Sequence, residues 1–285
     1  YGADVVKVER PGVGDDTRQW GPPWLGEESG YFLSANRNKR SITVNLAAPK
    51  GQEIIKGLAM QADVLLENYK VGTLARYGLG PKDLRKLNPR LIYCSISAYG
   101  QTGSRVDQPG YDAMIQASAG LMSVTGPVAG EHGGPQKVGV AVSDIMAGMY
   151  ATTAILAALN SRAVSGQGQT IDVPLYDSQV AWLANQNINF LLSGTAPQRM
   201  GTAHPNLVPY QTFATSDGDL MLAVGNDSQF ENCCEALGLQ SLANDFRFAT
   251  MSKRIENREA LIKLLQTQFQ SGSTEKWLEK LLELR

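Results

Sequence analysis

The chain has 285 residues, 43% of them hydrophobic and 19% charged, with 26 Lys+Arg against 27 Asp+Glu. That length can bury a sizeable core in one large domain or two unequal ones, and the near-neutral balance excludes the dense basic face that nucleic acid calls for. With two histidines, His132 and His204, and three cysteines, Cys94, Cys233 and Cys234, lacking a Cys-x-x-Cys pair, a zinc site and a disulfide framework are both disfavoured.

Taken in chain order, Ala3 to Glu9 is a short β-type run that stops at Arg10-Pro11-Gly12. Pro49 to Gln61 has helical apolar spacing through Ile54, Ile55, Leu58 and Ala59, and Ala62 to Asn68 then reads as a strand. Lys82 to Leu87 makes a short helix before the strand Arg90 to Ala98. Mostly apolar strands alternating with helices predict a parallel sheet covered on both faces, an α/β fold. Between Tyr111 and Leu159 the chain is rich in Ala, Gly, Ser and Met, with helices expected over about 111–122 and 143–160. A strand from Gln169 to Tyr176 and a helix from Asp177 to Leu192 follow. The Gly/Pro-containing stretch from Ser193 to Pro209 marks a boundary. Beyond it, strands at 211–214 and 220–224 and helices near 227–237, 256–270 and 274–284 read as a smaller α+β domain. The expected division is therefore 1–195, a linker or substrate loop at 196–210, and 211–285.

Charge is unevenly spread: residues 1–110 hold 15 Lys+Arg and 11 Asp+Glu, a balance of +4, and the remainder hold 11 and 16, a balance of −5. A mild positive excess in the first half suits a small polyanion. No continuous apolar run approaches the roughly 18 residues of a bilayer span, so no membrane partner is expected. The cysteine usage favours a reducing compartment, expected to be the cytoplasm, or the mitochondrial matrix if a targeting peptide has been removed.

No intact phosphate-binding glycine loop and no G-x-S-x-G elbow occurs, and the scarcity of His disfavours a Ser-His-Asp triad. Carboxylates become the first candidates. Asp144 opens a helical run, Ile145-Met146-Ala147-Gly148, and on these residues alone reads as a helix N-cap.

Four ordered segments form a recognisable pattern: Gly2 to Asp15 (GADVVKVERPGVGD), Asn36 to Leu46 (NRNKRSITVNL), Ala62 to Tyr69 with Gly72, and Val138 to Gly148 (VGVAVSDIMAG). Together they resemble the class III CoA-transferases of CaiB/BaiF type over nearly the whole chain. The segment Gly201 to Tyr210 looks more like members acting on dicarboxylates, such as succinyl-CoA:glutarate CoA-transferases. The resemblance implies a Rossmann-like parallel-sheet large domain, a smaller α+β domain and an interlocked homodimer. It also implies an additional N-terminal strand and a C-terminal return segment that would lie outside this sequence.

The resemblance further implies that Asp144 attacks the acyl-CoA thioester. Arg10, Val44, Asn45, Leu46, Asn68, Tyr69, Lys70 and Arg76 match the family's CoA contacts. Ala47 stands where some members carry a basic residue, which leaves one phosphate contact open. Gly110, Tyr111 and Asp112 fall on the next matched stretch, where the related α-methylacyl-CoA racemases place a His before the Asp. A phenol is a poor proton shuttle near neutral pH, so Tyr111 favours transfer, unless it is merely a packed aromatic. Gly201, His204 and Asn206 match the loop over the bound acyl group, whereas His132 reads as a solvated loop residue. The expected substrates are an acyl-CoA and a small carboxylic acid, with no tightly bound cofactor and no metal. Two other activities fit the same residues, an isomerase of racemase type and a non-catalytic CoA-binding fragment.

Overall fold

The computed structural model describes residues 2–130 and 132–283. They form two compact units: residues up to 119 together with 139–184, and residues 120–138 together with those from 185 onward. The second unit thus takes in a segment far upstream of the 196–210 stretch at which the sequence suggests a boundary.

The first unit runs β1 (Val5–Glu9), a short hairpin of β2 (Trp24–Leu25) and β3 (Glu28–Ser29), α1 (Gly30–Asn36), β4 (Lys39–Thr43), α2 (Pro49–Gln61), β5 (Val64–Glu67), α3 (Pro81–Leu87), β6 (Ile92–Ser97) and α4 (Asp112–Ser118). After α5 (Leu121–Val124), which belongs to the second unit, it resumes with α6 (Val142–Ser165), β7 (Thr170–Pro174) and α7 (Leu175–Ala181). The second unit continues with α8 (Asn185–Ser193), β8 (Tyr210–Ala214), β9 (Asp219–Ala223), α9 (Asp227–Leu237), α10 (Gln240–Ala243), α11 (Met251–Glu256), α12 (Arg258–Gln270) and α13 (Thr274–Glu283).

All the ladders between long strands of the first unit are parallel, as the strand–helix alternation predicts, but they form two sheets. β1 pairs with β4 from Val5↔Lys39 to Glu9↔Thr43, and β5, β6 and β7 form a separate three-stranded sheet. β4 was hidden in the sequence because its residues, Lys39 to Thr43, are largely polar and exposed. A common core joins the two sheets: Ile55 and Ala59 of α2 pack with Leu74, Leu79, Leu84, Leu91 and Tyr93, and Val8, Ile42 and Leu65 close on them from three strands.

Two long helices expected from the sequence are interrupted. Gly120, with φ of 95°, ends the first between α4 and α5, and Ala184, with φ of 45°, separates α7 from α8. A left-handed residue cannot continue a right-handed helix.

Helix α6 buries Ala147, Ala151 and Ala158 against the sheet and its neighbours. Small side chains let it lie close. Its large apolar residues, Ile145, Met149, Leu156 and Val164, face outward instead. By length and composition α6 could cross a membrane, contrary to the sequence expectation. The Gly, Ser, Thr and Tyr that interrupt its apolar residues mask this in a search for continuous runs. Its packing against α4, α7, β6 and β7 is that of a helix covering a sheet.

The second unit has its own core, in which Phe213, Phe230, Phe248, Leu261, Leu265, Phe269 and Trp277 pack around the β8–β9 hairpin. The Trp277 indole N–H donates to the Phe269 carbonyl at 2.7 Å. Arg254, fully buried, satisfies its guanidinium on the Val208 and Phe248 carbonyls and the Asp227 carboxylate.

Candidate active site

Helix α6 fixes the place of Asp144. At its C-terminal end Arg162, nearly buried, donates to the Asp63 and Arg90 carbonyls at 3.3 and 3.0 Å and to the Asp63 carboxylate at 2.7 Å. Asp63 and Arg90 lie just before β5 and β6, so α6 runs antiparallel to these strands. Its first turn therefore lies at their C-terminal edge, the edge at which open parallel sheets bind ligands.

Asp144 is the third residue of that first turn. The N-cap is Ala141, so the N-cap reading of Asp144 is corrected: the break in helical backbone falls three residues earlier. Ala141 has no capping side chain, and Asp112 of α4 supplies one from outside, its Oδ1 accepting the Ser143 N–H at 2.8 Å. Gln116 donates to the other Asp112 oxygen at 2.7 Å. From α7, Gln179 accepts the Ser143 hydroxyl at 2.8 Å.

Asp144 is exposed, with neighbouring protein around part of its carboxyl. Partial burial, and secondarily the negative charge of Asp112, push its pKa up to about 6. A helix N-terminus favours an anion and any oxyanion formed beside it. Tyr31 of α1 lies within electrostatic reach of both Asp144 and Asp112, and burial with these two charges raises its phenol above the ordinary value. A Cβ on Gly110 would come within 2.8 Å of the Ala98 side chain, so glycine lets the start of α4 pack closely on the residue that follows β6. Tyr111 is 73% exposed, which removes the packed-aromatic reading.

The predicted CoA contacts gather at the C-terminal ends of β1, β4 and β5. Arg10 follows β1, exposed, and pairs with Asp16. Val44, which follows β4, is buried and bonds through its N–H to the Glu9 carbonyl at 2.9 Å, whereas Asn45 is exposed. Asn68, Tyr69 and Lys70 follow β5, all exposed; burial raises the Tyr69 phenol and the nearby Arg10 guanidinium opposes this. Lys70 and Gly72 line a cleft of about 360 Å³ together with Glu67, Thr73, Ser95 and Gln101. Arg76, exposed, lies one turn beyond. A cleft of about 470 Å³ at Arg85, Gln167 and Thr170 holds none of the predicted residues.

The three cysteines are buried, and burial lifts their thiols to about 11, 12 and 11, so none supplies a thiolate at neutral pH. The sequence pattern of CoA-transferase family III matches residues 1–285.

The chain belongs to CoA-transferase family III.

Its relatives include the human succinyl-CoA:glutarate CoA-transferase, 48% identical over 97% of this chain, and the Agrobacterium fabrum succinate–glutarate CoA-transferase, 48% identical over 94%. The chain spans 63% of the length of the human relative and 68% of the bacterial one. A crystal structure of a CaiB/BaiF family protein from Brucella suis superposes with a TM-score of 0.81 at 47% identity, covering 99% of this chain and 75% of that one. Rv3272 from Mycobacterium tuberculosis superposes with a TM-score of 0.84 at 33% identity, covering 99% and 72%.

In this family III chain the remaining predicted residues lie in the second unit. Gly201 has φ of 59° in a turn. His204 Nδ1 accepts the Asn206 N–H at 3.0 Å, and Arg258 donates to the His204 carbonyl at 2.8 Å. Burial and the Arg258 charge lower the imidazole pKa, so a neutral ring with its proton on Nε2 fits these bonds. Asn206 Oδ1 accepts from Asn185 and Asn189 at 3.1 and 3.0 Å.

Sequence reasoning missed Tyr31, Ser143, Gln116 and Gln179 around Asp144, and the Glu9–Arg18 pair behind Arg10. Arg18 grips both Glu9 oxygens at 2.8 Å, and Ser41 donates to Glu9 at 2.6 Å. Only the adjacency of Ser143 to Asp144 was visible in the sequence.

Proposed function

We propose that this protein transfers coenzyme A from an acyl-CoA to a carboxylic acid, with Asp144 as the nucleophile. The observation that carries this is the placement of Asp144: a carboxylate with pKa pushed up to about 6, on the first turn of α6, at the edge where the predicted CoA contacts emerge. With that pKa roughly nine-tenths of the group is ionised at neutral pH, and the greater basicity makes a better nucleophile than an ordinary aspartate.

In this reading, an Asp144 oxygen attacks the thioester carbonyl, the C–S bond breaks, and CoA leaves as a thiolate beside a mixed anhydride. The thiolate then attacks the Asp144 carbonyl, releasing the donor acid and leaving an aspartyl-CoA thioester. The acceptor carboxylate repeats the sequence in reverse order. Each step exchanges one activated carboxyl for another, so no oxidant or reductant enters. Arg10, Lys70 and Arg76 meet the CoA phosphates, and Val44 to Leu46 and Asn68 to Tyr69 line its nucleotide end. The relatives named for succinyl-CoA and glutarate support a dicarboxylate pair.

The Rossmann-like large domain and an intertwined homodimer belong to the same proposal. The outward Ile145, Met149 and Leu156 of α6 support a covered face there. Incubation with succinyl-CoA and a panel of carboxylates, followed by mass spectrometry, should reveal new CoA thioesters. With succinyl-CoA present, hydroxylamine should attack the activated Asp144 carbonyl, displacing CoA or the donor acid and leaving a hydroxamate on Asp144 of the parent protein. Exchange at the parental rate in Asp144→Asn would defeat the mechanism.

A further inference from the structure

Resting on the transfer reaction proposed above, we propose that Gln116 and Gln179 are positioning residues: two buried side-chain amides that hold the first turn of α6 so that the Asp144 carboxyl meets the thioester carbonyl. Three side chains from two neighbouring helices converge at the residue immediately before Asp144. Ser143 is held twice, through its N–H by Asp112 of α4 and through its hydroxyl by Gln179 of α7. Gln116 in turn fixes Asp112 at 2.7 Å and reaches the Val140 carbonyl at 3.4 Å, just before the helix starts. Ser143, Gln116 and Gln179 are all 0% exposed, so no solvent competes for these bonds. The α6 first turn has no side-chain cap of its own to do this work.

Gln179 carries the distinguishing sign. Its Nε2 is buried with no hydrogen-bond partner. An unsatisfied buried amide lowers stability, and it is kept here together with the bond from the buried Ser143 hydroxyl to the same side chain. What Gln179 contributes is its Oε1 on Ser143, one residue from the proposed nucleophile. A device of this kind matters for the chemistry because small misplacements of a reacting group cost large factors in rate. The charged and titratable groups facing Asp144 are Asp112 from α4 and Tyr31 from α1. Loosening the turn lets Asp144 move away from both and admits water.

The test uses the full-length protein carrying Gln179→Met or Gln116→Met. For exchange from succinyl-CoA, kcat should fall roughly 10- to 100-fold while KM for the acyl-CoA stays within about twofold. Gln179→Met exchanges one unsatisfied buried group, its own Nε2, for another, the Ser143 hydroxyl, and should melt close to the parental temperature. Asp144, labelled with ¹³C at its carboxyl, should titrate near the parental midpoint in the parent and about half a pH unit or more lower in the variants. Should either Met variant fail to fold, Ser143→Ala removes the hydroxyl while keeping the N–H bond to Asp112, and the same fall in kcat and midpoint is expected. Unchanged kcat, or an unmoved Asp144 titration, overturns the inference. A parent that exchanges no CoA, or an active Asp144→Asn variant, overturns the proposed function instead, and the titration still decides the positioning role.

Discussion

Two carboxylates in the first unit are perturbed in opposite directions, and the signs lead to opposite pH behaviour. Asp144 has a folded-state pKa of about 6 against an ordinary 3.8. Between these values the folded protein binds more protons than the unfolded one, so its ionised form costs stability above about 6 and the cost is relieved as pH falls. Asp144→Asn should therefore be as stable as the parent at pH 7, or more so, by urea unfolding, while losing exchange. The pH–rate profile should fall about tenfold per unit below an acid limb near 6. Glu9 is the reverse case. The Arg18 hydrogen bonds, opposed by burial and reinforced by Ser41, lower it to about 2 from 4.5. Its contribution is fully present above 4.5 and lost as pH falls towards 2, on the order of 2–3 kcal/mol. Glu9→Gln should lose that stability at pH 7 and flatten the acid side of the stability curve, read from urea midpoints at pH 3, 5 and 7. Asp144 was legible in the sequence through its motif. The pKa near 6 was not, because its main cause is burial and its second is Asp112, which lies 32 residues away in the chain and comes near only in the fold.

Elements place these residues by backbone contacts that constrain the glycines. Gly51, near the start of α2, packs so close that a Cβ would fall 2.0 Å from the Asn45 carbonyl oxygen. Gly51→Ala should push the 44–46 stretch out of place, costing about 1–3 kcal/mol of stability. If that stretch lines the nucleotide end of CoA, KM for acyl-CoA should rise several-fold with kcat little changed, a split that steady-state kinetics will read. Most strands and helices were foreseen from apolar period, including β5, β6, β7, α2 and the β8–β9 pair. The exceptions have physical causes. β4 draws its stability from pairing with β1, although its own composition is polar. The expected helices spanning 120 and 184 break at left-handed residues, one of which is an alanine that no composition rule marks as a breaker.

On the scale of the chain, each unit has a core of its own, and stability can be probed in each. Trp277 is 1% exposed in the second unit, with its indole N–H satisfied by Phe269. Trp277→Ala should cost about 3–5 kcal/mol, measured by denaturant unfolding. In the first unit, α6 turns small residues inward and large apolar ones outward. If that outer face is covered by a second copy, Leu156→Lys should shift the protein towards monomer in sedimentation experiments. The sequence by itself determined the family, the parallel α/β character and the candidate nucleophile, because motif order and apolar periodicity are local properties of the chain. Only the tertiary structure decided how α6 runs against the sheet and which side chains, Asp112 and Gln179, grip Ser143. It also decided why Asp144 titrates high, since burial and the field of a neighbouring charge arise only when distant segments pack together.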